Sequence, residues 1–523
     1  MKRMKNGKII LQYLSLIILI GLSVCAVPRI KEALAANEDR DALAESKVVL
    51  YDGPKSLRDA TEEDLKNSSE NGREIALLHS TDTHVTVNGE ECYVYETNVN
   101  HTRQWVSNYY PPMSRTPITY FDFEGTVEIQ VTVPNLELAD VKISPLSYEI
   151  EPVVDAEAHT VTFRIDTPDA YTLQFNNAPE RAVHIFANEM EAPEEIPDPD
   201  DPNVIYIGPG EWNIETIVLR NGQTLYLAGG AVVHGIVNSN FENDVTVCGR
   251  GILDCSQLEG WQGRSASIPL KFDYCKNVTL KDIIVLNSNA WVCQAYNSGD
   301  GVIDGLKIIS SRPNGDGISI QSCQNFMIQN CFVRSWDDSL VVKNYSTNSA
   351  DITFRNMQLW TDLAQSMEVG YETNKGKKPD AAMTNILFED ITVLNNFHKP
   401  VISVHNADDA VLDNIVFRNI VVEHEEVGSG DGAEMPYLID VNIAQSSNWS
   451  STTERGKIQN VLIENVTFLE GKENASRIQG YDAEHKVDGV TIRNLTLFGK
   501  DIKSAEDGNF EIEEETVSNV IFE

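Results

Sequence analysis

Nine eight-residue segments constrain the fold of this chain more than any other feature. Starting at Val245, Val278, Gly301, Phe326, Ile352, Ile386, Ile415, Val461 and Val490, they read VTVCGRGI, VTLKDIIV, GVIDGLKI, FMIQNCFV, ITFRNMQL, ILFEDITV, IVFRNIVV, VLIENVTF and VTIRNLTL. Positions one, three, six and eight are mostly apolar. Position five holds only Gly, Asn or Asp: Gly249, Asp282, Gly305, Asn330, Asn356, Asp390, Asn419, Asn465 and Asn494. These residue types tolerate left-handed backbone, so each octet reads as two short strands joined by a sharp bend, which a helix would not accommodate. The starts fall 23 to 46 residues apart. Units of this size stack so that each coil covers its neighbour's open edge and apolar side chains form internal columns. The expected fold is all-β, dominated by a right-handed parallel β-helix. Leucine-rich repeats have similar periods but need a Leu and Asn consensus that is missing here.

The repeat places the β-helix over residues 204–523. Ahead of it, residues 46–190 show short alternating strands such as Val127 to Val133 and Thr160 to Ile165, separated by Pro, Asn and Asp turns, which predicts a β-sandwich domain. Between the two, residues 191–203 carry prolines and like charges that resist helix and sheet, as a linker does. At the N-terminus, Lys2, Arg3, Lys5 and Lys8 precede an apolar stretch from Ile9 to Val27, with Ala33-Leu34-Ala35 offering a cleavage site. Residues 1–35 therefore read as an export signal and the protein as secreted, with no stable membrane insertion after cleavage. A retained anchor is the rival, and Leu22-Ser23-Val24-Cys25 resembles a lipoprotein box except for the bulky Val24.

Composition narrows the partners. With 41 Lys and Arg against 79 Asp and Glu, the formal charge is -38 and no basic block lies beyond the first residues, which excludes an electrostatic grip on nucleic acid. The 8 cysteines are scattered without a paired CxxC, so structural zinc is not expected. Cys275, Cys323 and Cys331 read as small buried apolar groups.

The coil register then locates chemistry. Four coils carry a third strand, and aligning Ile318, Leu340, Met367 and Ile402 puts Asp316 one rung from Asp338, about 4.8 Å away. Asp337 must point elsewhere, so three carboxylates gather over two rungs, flanked by Trp336 and Lys343. Asp-Asp pairs are common in so acidic a chain; Asp200-Asp201 and Asp408-Asp409 also occur. What distinguishes Asp337-Asp338 is its superposition on Asn314-Gly315-Asp316-Gly317, because stacking like charges costs stability. Inverting glycoside hydrolysis requires two groups of carboxylates: a protonated acid for the leaving oxygen and a base holding water on the opposite face. Crowding splits their pKa values. The stacked Asp316 and Asp338 suit water capture, and the offset Asp337 suits the acid. Such hydrolysis calls for no cofactor and no metal.

These motifs resemble the polygalacturonase-like enzymes of glycoside hydrolase family 28 over roughly residues 203–500. Asn314-Gly315-Asp316-Gly317 and Asp337-Asp338 match the family's Asn-Thr-Asp-Gly and Asp-Asp, and the resemblance implies Asp337 as acid with Asp316 and Asp338 as base. The candidate substrate-binding residues are Asn314, Lys343, Gln365, Glu368 and His405. Two departures stand out. Gln365 replaces the His of the family's Gly-His-Gly, and Ser403-Val404-His405 replaces its Arg-Ile-Lys, so the usual grip on a galacturonate carboxylate is missing. Glu368 and Glu372 add negative charge, which disfavours an acidic polymer further. The dextranase and isopullulanase group, family 49, is also similar, joining a β-sandwich to a β-helix with three aspartates. The expected partner is a polysaccharide or oligosaccharide, pectin-like or neutral.

Each residue has a plainer reading. Gln365 is orienting or merely polar; Glu368 alternates outward and should be exposed on any strand; Lys343 binds substrate or pairs with an Asp; His405 binds or is a surface histidine. Trp291 and Trp336 are sugar platforms or packing, and Trp105 to Tyr110 a glycan contact or core. A calcium-dependent polysaccharide lyase with Arg312, Arg334 or Lys343 as base, and a non-catalytic carbohydrate-binding β-helix, are the alternative functions.

Overall fold

A computed structural model describes residue 43 and residues 45–59, 75–100, 110–175, 178–258, 267–428 and 437–523. Residues 1–35, read as the export signal, and Trp105 to Tyr109 lie outside this set. Among the described residues no helix is long and apolar enough to cross a membrane.

From Lys47 to Glu189 the alternating segments form a sheet of seven strands and a sheet of five. Val127–Thr132 pairs antiparallel with Thr160–Ile165, Phe163 opposite Ile129. The inward residues Val127, Ile129, Val131, Val161 and Phe163 share a core with Phe121, Tyr171 and Leu173 of the larger sheet, which is sandwich packing. Residues 190–203 hold one short 3-10 turn, Pro193–Glu195, and no strand.

From Val204 to Phe522 the chain coils into one continuous sheet of 28 strands, parallel except where Lys500–Ile502 turns back on Val487–Leu497. The octets pair in the register their columns predict. Val245 faces Val278, Gly301 faces Phe326, and Ile352, Ile386, Ile415, Val461 and Val490 follow rung by rung. All nine position-five residues have φ between 51° and 112°. Their amides also form a ladder: Asn356 donates to Asn330 at 2.7 Å, Asn419 to Asp390 at 2.9 Å, Asn465 to Asn419 at 2.9 Å and Asn494 to Asn465 at 3.0 Å. Each such bond adds about 0.5–1.5 kcal/mol net, so Asn at this column both permits the bend and ties the coils. A second bend column lies one residue before each octet, at Asn277, Asn325, Asp351, Asn385, Asn414 and Asn460 among others, again with positive φ. Its own ladder includes Asn385 to Asp351 at 2.8 Å and Asn414 to Asn385 at 2.9 Å. Inside, Phe354, Phe388 and Phe417 stack at 4.9 Å centroid spacing. Cys275, Cys323 and Cys331 are buried in this core, and the cysteines of the described residues are free thiols.

The sandwich lies against one face of the β-helix. Tyr95, Ile118, Tyr120 and Phe186 pack on Ile252, Ile284, Ile309, Phe332 and Trp360 in a shared apolar cluster. Two buried arginines pin the seam. Arg250 pairs with Asp122 of the sandwich at 3.1 Å and with Asp282 of the coils at 2.5 Å. Arg334 meets Asp362 at 3.2 Å and His184 of the sandwich at 3.1 Å. The sheet built from the third strands stays clear of this seam and carries the aspartates.

Candidate active site

Ile318–Gln321, Leu340–Lys343, Met367–Val369, Ile402–Asn406 and Tyr437–Ile443 lie side by side, with Ile318, Leu340, Met367, Ile402 and Ile439 in one inward column. Because side chains alternate along a strand, Ser319, Val341, Glu368, Ser403 and Asp440 form one outward column, and Gln321, Lys343, His405 and Asn442 fall on the next outward positions. Asp316 and Asp338 sit two residues ahead of Ile318 and Leu340 on adjacent rungs, and the Gly317 amide donates to the Asp338 carbonyl at 2.8 Å. The coils approach so closely there that a Cβ at Gly317 would lie 2.5 Å from the Ser339 carbonyl oxygen, which explains that glycine.

The three carboxylates have different surroundings. Asp316 is buried, and Lys343 Nζ donates to it at 3.1 Å. Burial raises its pKa to about 7, with Lys343 opposing the rise and the Asp337 charge adding to it. Asp338, half-buried, accepts from the Gln365 backbone N–H at 3.2 Å; burial, then repulsion from Asp337 and Asp316, holds its pKa well above the carboxylate range. Asp337 is half-buried and reaches back a rung, taking the Asn314 amide at 3.2 Å and the Asp338 amide at 3.1 Å. A proton is therefore held in this cluster near neutral pH. Because the charged forms are disfavoured, Asp338→Asn should raise the melting temperature at pH 7 by a few degrees; an unchanged or lowered value would show that the cluster carries no such repulsion.

The remaining candidates divide into two groups. Lys343 is buried between Asp316 and Glu372, 3.1 and 3.6 Å away, with the Trp291 ring 5.8 Å from its ammonium. Burial alone would lower its pKa, but those carboxylates hold it well above the ordinary lysine value. Gln365 is buried, and its Nε2 has no hydrogen-bond partner among the described residues, an orphaned donor beside Asp338. Trp336 is buried, as a packing residue is.

Glu368 and His405 depart from the expectation of exposure: both are fully buried. His405 Nδ1 meets Glu368 at 2.8 Å and its Nε2 meets Asp440 at 2.9 Å, while the Tyr371 ring stacks over the imidazole at 4.4 Å. Arg477 closes the far end, donating to Asp440 at 2.7 Å. Burial opposes the imidazolium, yet the flanking carboxylates raise the His405 pKa to about 9. Outward orientation on a strand did not bring exposure because a neighbouring ring covers the column. Asp440 and Arg477 were missed in the sequence; extending the Glu368–Ser403 column by two more coils would have found them. Arg334, one base considered for a lyase, is sealed in the domain seam. Among the described residues no group of three or more His, Cys, Asp or Glu side chains is arranged to hold a metal ion.

Similarity to known proteins agrees with this architecture. A polygalacturonase of Chamaecyparis obtusa is 30% identical over 130 residues, 22% of this chain and 24% of that protein. A probable polygalacturonase of Vitis vinifera is 25% identical over 204 residues, 36% of this chain and 40% of its own length. The chain thus spans less than half the length of either relative. Among solved structures, Dex49A from Penicillium minioluteum superimposes with a TM-score of 0.59 at 12% identity, covering 86% of this chain and 96% of that one, a likeness of fold. The model of the glycosyl hydrolases family 28 matches residues 236–516, more than half of the chain, and the coils it matches carry all three aspartates: the protein belongs to that family.

Proposed function

We propose that the protein is a secreted, inverting glycoside hydrolase acting on a polysaccharide whose reacting sugars are neutral. The observation that carries this reading is the gathering of Asp316, Asp337 and Asp338 over two rungs, in surroundings where the nearby cations are already engaged. Asp337 gives its proton to the glycosidic oxygen as the bond to the anomeric carbon breaks. Asp316 and Asp338 hold a water on the opposite face, and whichever of the two is ionised takes its proton as the new C–O bond forms, so the product is inverted. Exchange with solvent then reprotonates Asp337 and carries off the proton gained by the Asp316 and Asp338 pair. Gln365 Nε2 and Asn314 are placed to orient that water or a sugar hydroxyl, and Trp291 offers a ring face.

Neutral sugars follow from the spent cations. A uronate carboxylate needs an available positive group, but Lys343 is shared by Asp316 and Glu372, and His405 is sealed between Glu368 and Asp440. Ser403 supplies no charge. The non-catalytic glycan-binding reading draws on the same departures, Gln365 and Ser403.

The test is reducing-sugar release from dextran, pullulan, xylan, rhamnogalacturonan and polygalacturonate, with the anomer of the first product read by proton NMR. Release from a neutral polymer with inversion is expected. Cleavage of polygalacturonate alone would sink the neutral assignment, retention would sink the roles of Asp316 and Asp338, and no release at all would favour the binding protein.

A further inference from the structure

Upstream of the aspartates, the corner that ends the third strands departs from the residue choice of other bends. Asn240, Asp273, Tyr296, Gln321 and Lys343 pair rung by rung. The residues after them, Phe241, Tyr274, Asn297 and Ser322, all have φ between 48° and 59°. Most bends of this chain fill such positions with Asn, Asp or Gly; a bulky aromatic there is uncommon and conformationally costly. Phe241 and Tyr274 are moreover 67% and 43% exposed, so no core packing compensates. Their rings stack face to face at 4.5 Å and 7°.

The stack runs on toward the aspartates. Tyr274 meets Tyr296 edge to face at 5.5 Å, and Tyr296 meets Tyr345 at 5.9 Å. Tyr345 donates to Glu372 at 3.3 Å, and Glu372 pairs with the Lys343 that holds Asp316. From the rung of Phe241 to that of Asp316 is three rungs, about 14 Å along the axis. Beside the strip Lys271 pairs with Asp273 at 3.1 Å and Arg220 with Glu242 at 3.0 Å, and the outer face of Phe241 with the ring edges of Tyr274 and Tyr296 makes up its apolar surface.

We propose that Phe241, Tyr274 and Tyr296 form an extended apolar binding strip along which a neutral pyranose polymer lies, one sugar stacked on the outer face of Phe241 and the chain passing over the ring edges toward Asp316 and Asp338. This rests on the glycan-hydrolase reading of the aspartates and deepens it: the enzyme should prefer long chains. Apolar C–H faces of neutral pyranoses match exposed aromatic rings, and the strip's continuity with the aspartates identifies the occupant as the substrate's own extension.

The test uses Phe241→Asn together with Tyr274→Asn, since Asn suits positive φ and already fills the same column at Asn297; the melting temperature should hold or rise. In an Asp337→Asn background, native gels containing dextran, pullulan or xylan should retard the parent in at least one polymer, and the double substitution should weaken that association by about tenfold. With Asp337 intact, KM on the cleaved polymer should rise about as much, while rates on an oligosaccharide too short to reach Tyr296 stay unchanged. Undiminished retardation, retardation by none of the three polymers, or an equal loss on short and long substrates would overturn the strip. Polymer retardation lost on substitution, without hydrolysis by the intact protein, would leave the strip standing and refute the hydrolase reading instead.

Discussion

Asp337→Asn is expected to lower kcat on the cleaved polymer by about 100- to 10,000-fold, the range of a lost general acid, with little change in melting temperature. Asp337 is half-buried and accepts two backbone amides, and the Asn carbonyl can keep one of them, so the coil should hold its shape. The deficit should depend on the leaving group. A dinitrophenyl glycoside of the sugar concerned departs without a proton and should recover most of the lost rate, whereas the polymer should not. The pH profile separates the roles further. The acid limb of kcat/KM in the parent should lie near pH 7, where Asp316 ionises; Lys343→Met should move it upward, because Lys343 is what opposes the rise. An equal loss on the activated glycoside and the polymer would show that Asp337 is not the proton donor.

The octets were legible because two signals coincide in them: apolar residues at alternate positions, and Asn, Asp or Gly at the bend. That register carries from Ile318 to Leu340 to Met367 to Ile402 unaltered, which is why the sequence alone stacks Asp316 and Asp338. The bend column ahead of each octet bears the same residue types, one residue outside the stretch where apolar side chains alternate. Other features depend on contacts that no local pattern encodes. Arg334 and His184 are 150 residues apart and Arg250 and Asp122 are 128 apart, so the sandwich's place on the coils could not be read from either partner alone. The strand period shows that Glu368 and His405 point outward; it does not show that Tyr371, at the start of an insert between coils, lies over them. Phe241 and Tyr274 fall outside the octets, and their exposure is visible only once the corner is built.

Stability should fall between pH 6.5 and 9, and the chain of charges through His405 is one cause. Its imidazole has a folded pKa of about 9 against an ordinary 6.5. A pKa raised by folding means that the contribution is full below pH 6.5 and disappears as pH climbs through 9, on the order of 3 kcal/mol for one such group. His234, held between Asp254 and Glu211 at 2.8 Å on each side and likewise raised to about 9, titrates in the same window. His405→Gln should therefore flatten part of the decline in melting temperature from pH 6.5 to 9, and His234→Gln the remainder of what these two histidines cause. An identical slope in parent and His405→Gln would show that the imidazole is not charged in the fold. Asp440→Ala is the harsher change. It strips the shared partner from His405 and Arg477 where Asp440 and His405 are fully buried, and leaving buried charge uncompensated costs about 3–5 kcal/mol. Since Tyr371 rests on that imidazole, kcat should drop along with stability even below pH 6.5. A loss of stability with kcat intact at that pH would confine the chain of charges to holding the coils together.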